Sequence, residues 1–396
     1  MKEGLNKINN IKYAFLITVA KNGWFMSSGW LFFWLRFLTY SEIGLVDGIT
    51  VLIAFLLEIP FGALADLIGR KKMLILSYIA MTIGPLLMAT ATSREFLILG
   101  NFLFLVGFSA QSGAFDALAY DSLKEENKEK LFPKYYATAS TISWVINAIS
   151  LVIGGLTFNI DQRIPFFLWG FSYFCGLLLT FRLHEPIIEK ITKFSLKKYF
   201  IQNIDGLKEL FSKYLIKFIP FTLVVLGFLY FYDWSFMRPA IGKENGLDAL
   251  AQSMIYALSS IPAAIIVQFI PFFKKRISDK WGAVILCVLL SSIYLTFAFP
   301  LGYFAAIPMI LISTISALSF SWMIVIINEH VDTAHRATAV SSMYMLLKVP
   351  YVLLAIIGGN IIQGGNIRWL NLAIAVVIFI AAIILGVQKV DSRDPK

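Results

Sequence analysis

Long apolar runs, each bounded by a short polar or charged turn, recur from one end of this chain to the other. A helix needs roughly 20 mainly apolar residues to cross a hydrocarbon core of about 30 Å. Twelve segments meet that length, near 13–37, 43–65, 72–92, 96–119, 135–159, 164–182, 215–237, 248–271, 282–300, 303–327, 338–362 and 368–388. The longest polar interruption falls between them and divides the chain into 1–183, a linker at 184–213, and 214–396. The pattern predicts an all-α polytopic membrane protein, with twelve transmembrane helices arranged as two six-helix bundles.

Composition agrees with the pattern. Of 396 residues 58% are hydrophobic and only 15% charged, with a mean hydropathy of +0.76, against about 25% charged in soluble domains. Orientation follows from Lys and Arg alone. One face of the twelve-span arrangement collects 26 of the 34, including Arg70–Lys72 and Lys274–Lys280, so that face and both termini are expected to be cytoplasmic in the plasma (inner) membrane. The net charge of +10 is spread over short loops, which gives no footprint for nucleic acid. No nucleotide-binding G-x-x-x-x-G-K-[ST] string is present. No cofactor, metal or catalytic residue is expected, and a monomer is.

The most informative turn is Gly62-Ala63-Leu64-Ala65-Asp66-Leu67-Ile68-Gly69-Arg70-Lys71-Lys72. Glycines let two helix ends approach and turn sharply, Asp66 puts a carboxylate beside helix ends, and Arg70 offers a forked cation that reaches another carboxylate. Asp121, at the end of the fourth span, is its natural partner. The spacing closely resembles the loop between the second and third helices of the major facilitator superfamily of secondary transporters. A faint repeat supports two related halves. Asp66-x-x-Gly69 recurs as Asp279-x-x-Gly282, with its cations ahead of it as Lys274-Lys275-Arg276, and Ala137-Thr138-Ala139-Ser140 recurs as Ala337-Thr338-Ala339-Val340-Ser341.

The resemblance implies a gate latch made of Gly62, Asp66, Gly69 and Arg70, with Arg70 meeting Asp121 and Asp66 meeting the start of span 11; Asp279 and Gly282 would serve the second half. It lies nearest the drug-efflux branch yet departs from it. Span 4 reads Asn101-Phe102-Leu103-Phe104-Leu105-Val106-Gly107-Phe108 without an Arg, and span 5 has no Gly-Pro pair.

An ionisable side chain inside a span costs at least ~2.5 kcal/mol, so each is a functional candidate facing the interior. In the superfamily the cavity is lined chiefly by spans 1, 4, 7 and 10, where the resemblance places Lys21, Asp116 and Asp233; span 11 adds Lys348. Lys21 is near the midplane, as an anchor for an anionic group, as a partner for a cavity carboxylate, or snorkelling or paired structurally. Asp233, flanked by Tyr230 and Trp234, is the first choice for taking up and releasing a coupling proton, against a structural pair with Arg238 or Arg36. Asp116 suits structural pairing better. Aromatic residues of spans 1 and 7, among them Trp24, Trp30, Tyr230 and Trp234, would wall an apolar pocket, and Asn147 would add hydrogen bonds.

His330 and His335 stand near Glu329 and Asp332, without any known metal-ligand spacing. The function expected is alternating-access transport of a small organic solute, as proton-coupled efflux (antiport) of an amphipathic compound. The alternatives are uptake or exchange of an organic anion or metabolite, or lipid flipping by the same fold.

Overall fold

The computed structural model describes residues 2–186, 208–212, 214–332 and 335–388, and their side chains except those of residues 2–9, 59, 63, 66, 112 and 337. Bilayer interiors offer no water to a polar backbone, which favours helices whose hydrogen bonds close within the segment. All regular structure among the described residues is helical. The helices are α1 (Lys2–Lys21), α2 (Trp30–Trp34), α3 (Tyr40–Ile68), α4 (Arg70–Ala89), α5 (Arg94–Glu125), α6 (Phe132–Ile160) and α7 (Ile164–Phe181). There follow α8 (Gly227–Trp234), α9 (Met237–Glu244), α10 (Ala249–Val267), α11 (Ile270–Lys274), α12 (Asp279–Thr296), α13 (Ala306–His330), α14 (Arg336–Gln363) and α15 (Ile367–Val387). The linker expected at 184–213 lies mostly outside the described residues.

Ten segments among the described residues are long and apolar enough to cross a membrane. The first and seventh expected spans are built differently. The continuous helix expected at 13–37 stops at Lys21, and after turns only the five-residue α2 follows. The one expected at 215–237 opens as a 3-10 turn (Leu215–Phe218), widens to a π-helical stretch (Phe221–Leu226), and ends α8 at Trp234 before an extended Ser235. The first is corrected here to an interrupted span, while the seventh runs helical without a gap from Leu215 to Trp234 and carries a π-helical bulge inside it. Apolar length alone does not register the break after Lys21, because side chains from a distant helix supply the backbone partners that it requires.

The chain forms two compact units. The first comprises Met1–Leu38, Ile49–Tyr199 and Ala249–Ala257, and the second Thr39–Gly48, Phe200–Asp248 and Leu258–Lys396. In the first, α4 packs on α5 and α7, and α1 packs on α5, α6 and α7. The Ser77 hydroxyl donates to the Gly107 carbonyl at 2.6 Å, tying α4 to α5. An aromatic core lies between them, with Phe104 and Trp169 ring centroids 4.2 Å apart and Trp24 at 5.8 Å from Trp169. Such pairs add about 0.5–1.5 kcal/mol each beyond the area they bury. In the second unit α12 packs on α13 and α15, and α8 on α14. There the Ser291 hydroxyl donates to the Ala375 carbonyl at 2.7 Å.

Candidate functional site

A helix that stops in mid-span leaves its last carbonyls without intrahelical partners, and in an apolar setting each needs one. At the end of α1 every one is supplied. The Asn22 side-chain amide donates to Thr18 O at 2.7 Å and the Asn22 backbone N–H to Val19 O at 3.3 Å. From α7, the Ser172 hydroxyl donates to Ala20 O at 2.6 Å and the Tyr173 hydroxyl to Lys21 O at 3.1 Å. The break is therefore a built feature of the first unit, held by residues some 150 positions away in sequence.

Lys21 is the last residue of α1, where the helix dipole favours a cation. Its ammonium lies 4.3 Å from the centroid of the Phe115 ring on α5 and feels the charge of neighbouring Asp116. Both charged residues are half-buried. They stand too far apart for an ion pair, and among the described residues neither side chain forms a direct hydrogen bond or ion pair. Nearby, the Asn22 amide also donates to Ser143 Oγ of α6 at 2.9 Å. The buried Tyr135 hydroxyl lies beside Thr18 and under the influence of Asp116.

In the second unit, the end of α8 gathers a second polar group. Asp233 is exposed, accepts from the Ser316 hydroxyl of α13 at 2.7 Å and lies within the field of Arg238. The Arg238 guanidinium in turn sits 5.9 Å from the Tyr232 ring centroid and 3.4 Å from Ser259 Oγ. Arg36, the other cation considered for Asp233, contacts Gln162 instead. Asp47 of α3 accepts from the Ser235 hydroxyl at 2.5 Å and from the Tyr351 hydroxyl of α14 at 2.9 Å. Three helical elements thus meet on one carboxylate, whose sequence position near the end of span 2 gave no sign of it. Alongside, α3 and α14 come together through Gly44 and Gly359; a Cβ on either would stand 3.1 Å from the other's Cα.

The loop motifs occupy the ends of helices. Gly69 has φ of +99°, a conformation open to glycine, and separates α3 from α4. Arg70 forms an ion pair with Asp121, both side chains largely buried at 15% and 11% exposure. Glu185 completes the corner, accepting the backbone N–H groups of Arg70 and Lys71 at 2.7 and 2.8 Å. The exposed amide dipoles of a helix start favour such a carboxylate. Gly62 lies on α3 about two turns before Gly69, and the Asp66 side chain is outside the described residues. The second-half counterpart is assembled differently. Lys274 pairs with both Asp279 and Glu329, Tyr214 donates to Asp279 at 2.9 Å, and Tyr214 stacks on His330 with centroids 3.8 Å apart. Gly282 gives room to the Trp322 ring, whose Nε1 donates to Asp279 O at 3.1 Å. Asp279, Glu329 and His330 present ligand atoms within 4.8 Å of one another, and the Lys274 ammonium supplies the cation among them. His335 instead faces Glu209 at 3.5 Å.

The remaining expected site residues are dispersed. Trp24 is packed into the aromatic core on Phe104, Phe108 and Trp169, and Trp30 meets Trp34 edge to face at 5.3 Å. Tyr230 packs on Trp234 and Tyr351, while Trp234 is 55% exposed. Asn147 on α6 and Lys348 on α14 are half-buried. Glu185, Asp47, Ser316, Tyr351 and the Lys274–Glu329 pair were not legible in the sequence. The only signal was the position of Glu329 at the end of span 10, matching that of Asp121 at the end of span 4.

Several known proteins are similar to this chain. The nucleoside transporter NupG has a structure that aligns with a TM-score of 0.78, covering 97% of this chain and 100% of NupG at 16% identity. A POT family transporter in complex with 5-aminolevulinic acid aligns with a TM-score of 0.70 over 95% of each chain at 12% identity. At these identities the likeness is one of fold. An uncharacterized transporter of Buchnera aphidicola subsp. Schizaphis graminum is 28% identical over 210 residues, which is 48% of this chain and 51% of the relative. Another, of Buchnera aphidicola subsp. Acyrthosiphon pisum, is 34% identical over 113 residues, 28% of this chain and 27% of that relative. The match thus spans about half the length of the first relative and about a quarter of the second. The profile described as Major Facilitator Superfamily matches residues 13–353 and 223–396. With that coverage, its helical membrane-spanning fold and its likeness to transporters of known structure, the chain belongs to the major facilitator superfamily.

Proposed function

We propose that this protein is a secondary transporter that moves a small polar organic solute across the cell membrane by alternating access. Two six-span halves, 1–183 and 214–396, rock about sites at the break of the first span and the end of α8, with both termini cytoplasmic and the monomer as the working unit. The observation that carries this reading is the placing of ionisable groups at the break of the first span and in the last turn of the seventh: Lys21 with Asp116, and Asp233 with Arg238. Unwound backbone inside a membrane protein is tolerated where it lines a cavity, and in transporters such half-helix ends hold substrate and coupling ions. Charges there cost too much to keep without use.

Asp233 carries the coupling proton in this reading. Its tie to Ser316 and its attraction to Arg238 would both weaken on protonation. The charged groups favour a polar cargo over the amphipathic one, since Trp24 is committed to core packing. Arg70–Asp121 and Lys274–Glu329 act as cytoplasmic latches, and the Gly44–Gly359 approach with the Asp47 cluster as their outer counterpart. The test is flux of a chemically diverse solute panel in reconstituted liposomes under imposed proton or sodium gradients. Accumulation driven by the proton gradient is the expected result; sodium-driven accumulation would reject the proton, and no flux of any solute would reject transport.

A further inference from the structure

We infer that the site at the end of α1 takes a zwitterion, a solute carrying a carboxylate for Lys21 and an ammonium for Asp116. The inference rests on the transport reading and names its cargo class. Four observations lead to it. Lys21 and Asp116 are opposite charges on different helices of the first unit, close enough to act on each other yet without an ion pair. Each is half-buried and so keeps surface open to a ligand. The backbone opens between Asn22 and Gly29, immediately beyond Lys21. The carbonyls at the end of α1 are already taken by Asn22, Ser172 and Tyr173, which leaves the two charges available for recognition.

Charge arithmetic selects among ligands. Lys21 and Asp116 sum to zero, so a neutral dipolar ligand leaves the site neutral. A simple anion would satisfy Lys21 while repelling Asp116, and a simple cation the reverse, each adding net charge where the surrounding dielectric is low. A zwitterion replaces one through-space attraction with two direct charge-assisted contacts, the stronger class of hydrogen bond. The Phe115 ring, on the residue next to Asp116, holds the Lys21 ammonium 4.3 Å from its centroid. An uncharged solute gains none of this and leaves both charges without partners.

The experiment is counterflow in liposomes holding the full-length protein, which needs no ion gradient. Radiolabelled free leucine is compared with its amide, which keeps only the ammonium, with its N-acetyl derivative, which keeps only the carboxylate, and with uridine as a neutral solute. The same series is run with alanylalanine and its two blocked forms, to vary the charge separation. We expect at least one zwitterion to exchange and to lose about tenfold or more in apparent affinity when either charge is blocked, the equivalent of about 1.4 kcal/mol. Lys21→Gln should abolish the preference of the protein for zwitterion over the amide, and Asp116→Asn its preference over the N-acetyl form. Exchange of uridine without exchange of any zwitterion overturns the inference while leaving transport standing. Exchange of zwitterions with unchanged discrimination in both variants overturns the assignment to Lys21 and Asp116. No exchange of any of these solutes overturns the inference, while transport itself is decided by flux of the diverse solute panel. The wild-type series decides the cargo class even where a variant fails to fold.

Discussion

Lys274 and Glu329 are joined at 2.6 Å between the end of α11 and the end of α13, in the second unit. Their counterpart in the first unit is the ion pair of Arg70 with Asp121. In each, a cation from the loop after one span reaches an acid that ends a span two further on. The cation precedes its motif carboxylate in one case and follows it in the other, so the repeat survives in charge placement where it has decayed in sequence.

Removing Arg70 or Lys274 leaves a largely buried carboxylate, Asp121 or Asp279, without its ion pair, which is costly. Arg70→Ala and Lys274→Ala are each expected to slow transport about fivefold or more, the kinetic equivalent of roughly 1 kcal/mol. Substrate affinity should stay within a few-fold. A wild-type rate in Arg70→Ala would remove the first latch, and the exchanged pair Arg70→Asp with Asp121→Arg should recover part of the loss.

Glu185 ties the segment after α7 to the start of α4. Loss of a helix cap costs about 1 kcal/mol, so Glu185→Ala should lower the unfolding temperature in detergent by a few degrees. Gly69→Ala should cost more, because an L side chain at φ +99° is strained and its Cβ would stand 2.9 Å from the Glu185 carboxylate. Equal stability of the two variants would show that the corner bears no strain.

Asp47, Ser235 and Tyr351 form one hydrogen-bonded group, and bonds to a charged acceptor are worth about 1.5–3 kcal/mol each. Asp47→Asn and Tyr351→Phe are expected to destabilise the protein singly and to be non-additive together. A double-mutant cycle by thermal unfolding measures this, and strict additivity would show that the 2.9 Å contact contributes nothing.

Asp233→Asn keeps the shape of the side chain and removes its charge. It should abolish proton-driven accumulation in liposomes while exchange of cargo continues. Ser316→Ala, which removes the 2.7 Å donor but leaves the carboxylate, should retain accumulation at a shifted pH dependence. Retained accumulation in Asp233→Asn would take the proton away from this residue.

The apolar runs, the turn at Gly69 and the Arg70–Asp121 pair were legible without coordinates. Each depends on local physics: span length against bilayer thickness, a glycine-only backbone angle, and a cation and an acid at the ends of neighbouring spans. The interruption after Lys21 was not, although Gly23 and Gly29 flank it. A broken helix is stable only if something satisfies its carbonyls, and here that is Ser172 and Tyr173 on α7. The same holds for Glu185 at the α4 start and for Tyr351 on Asp47, where the partners are far apart in sequence.

The sequence by itself determined that this chain is a helical membrane protein of the transporter kind, because hydrophobic length and charge placement act residue by residue. The tertiary structure alone decided that the first span breaks after Lys21 and which charged side chains meet beside it, because hydrogen-bond partners and ion pairs are set by which helices come to lie side by side.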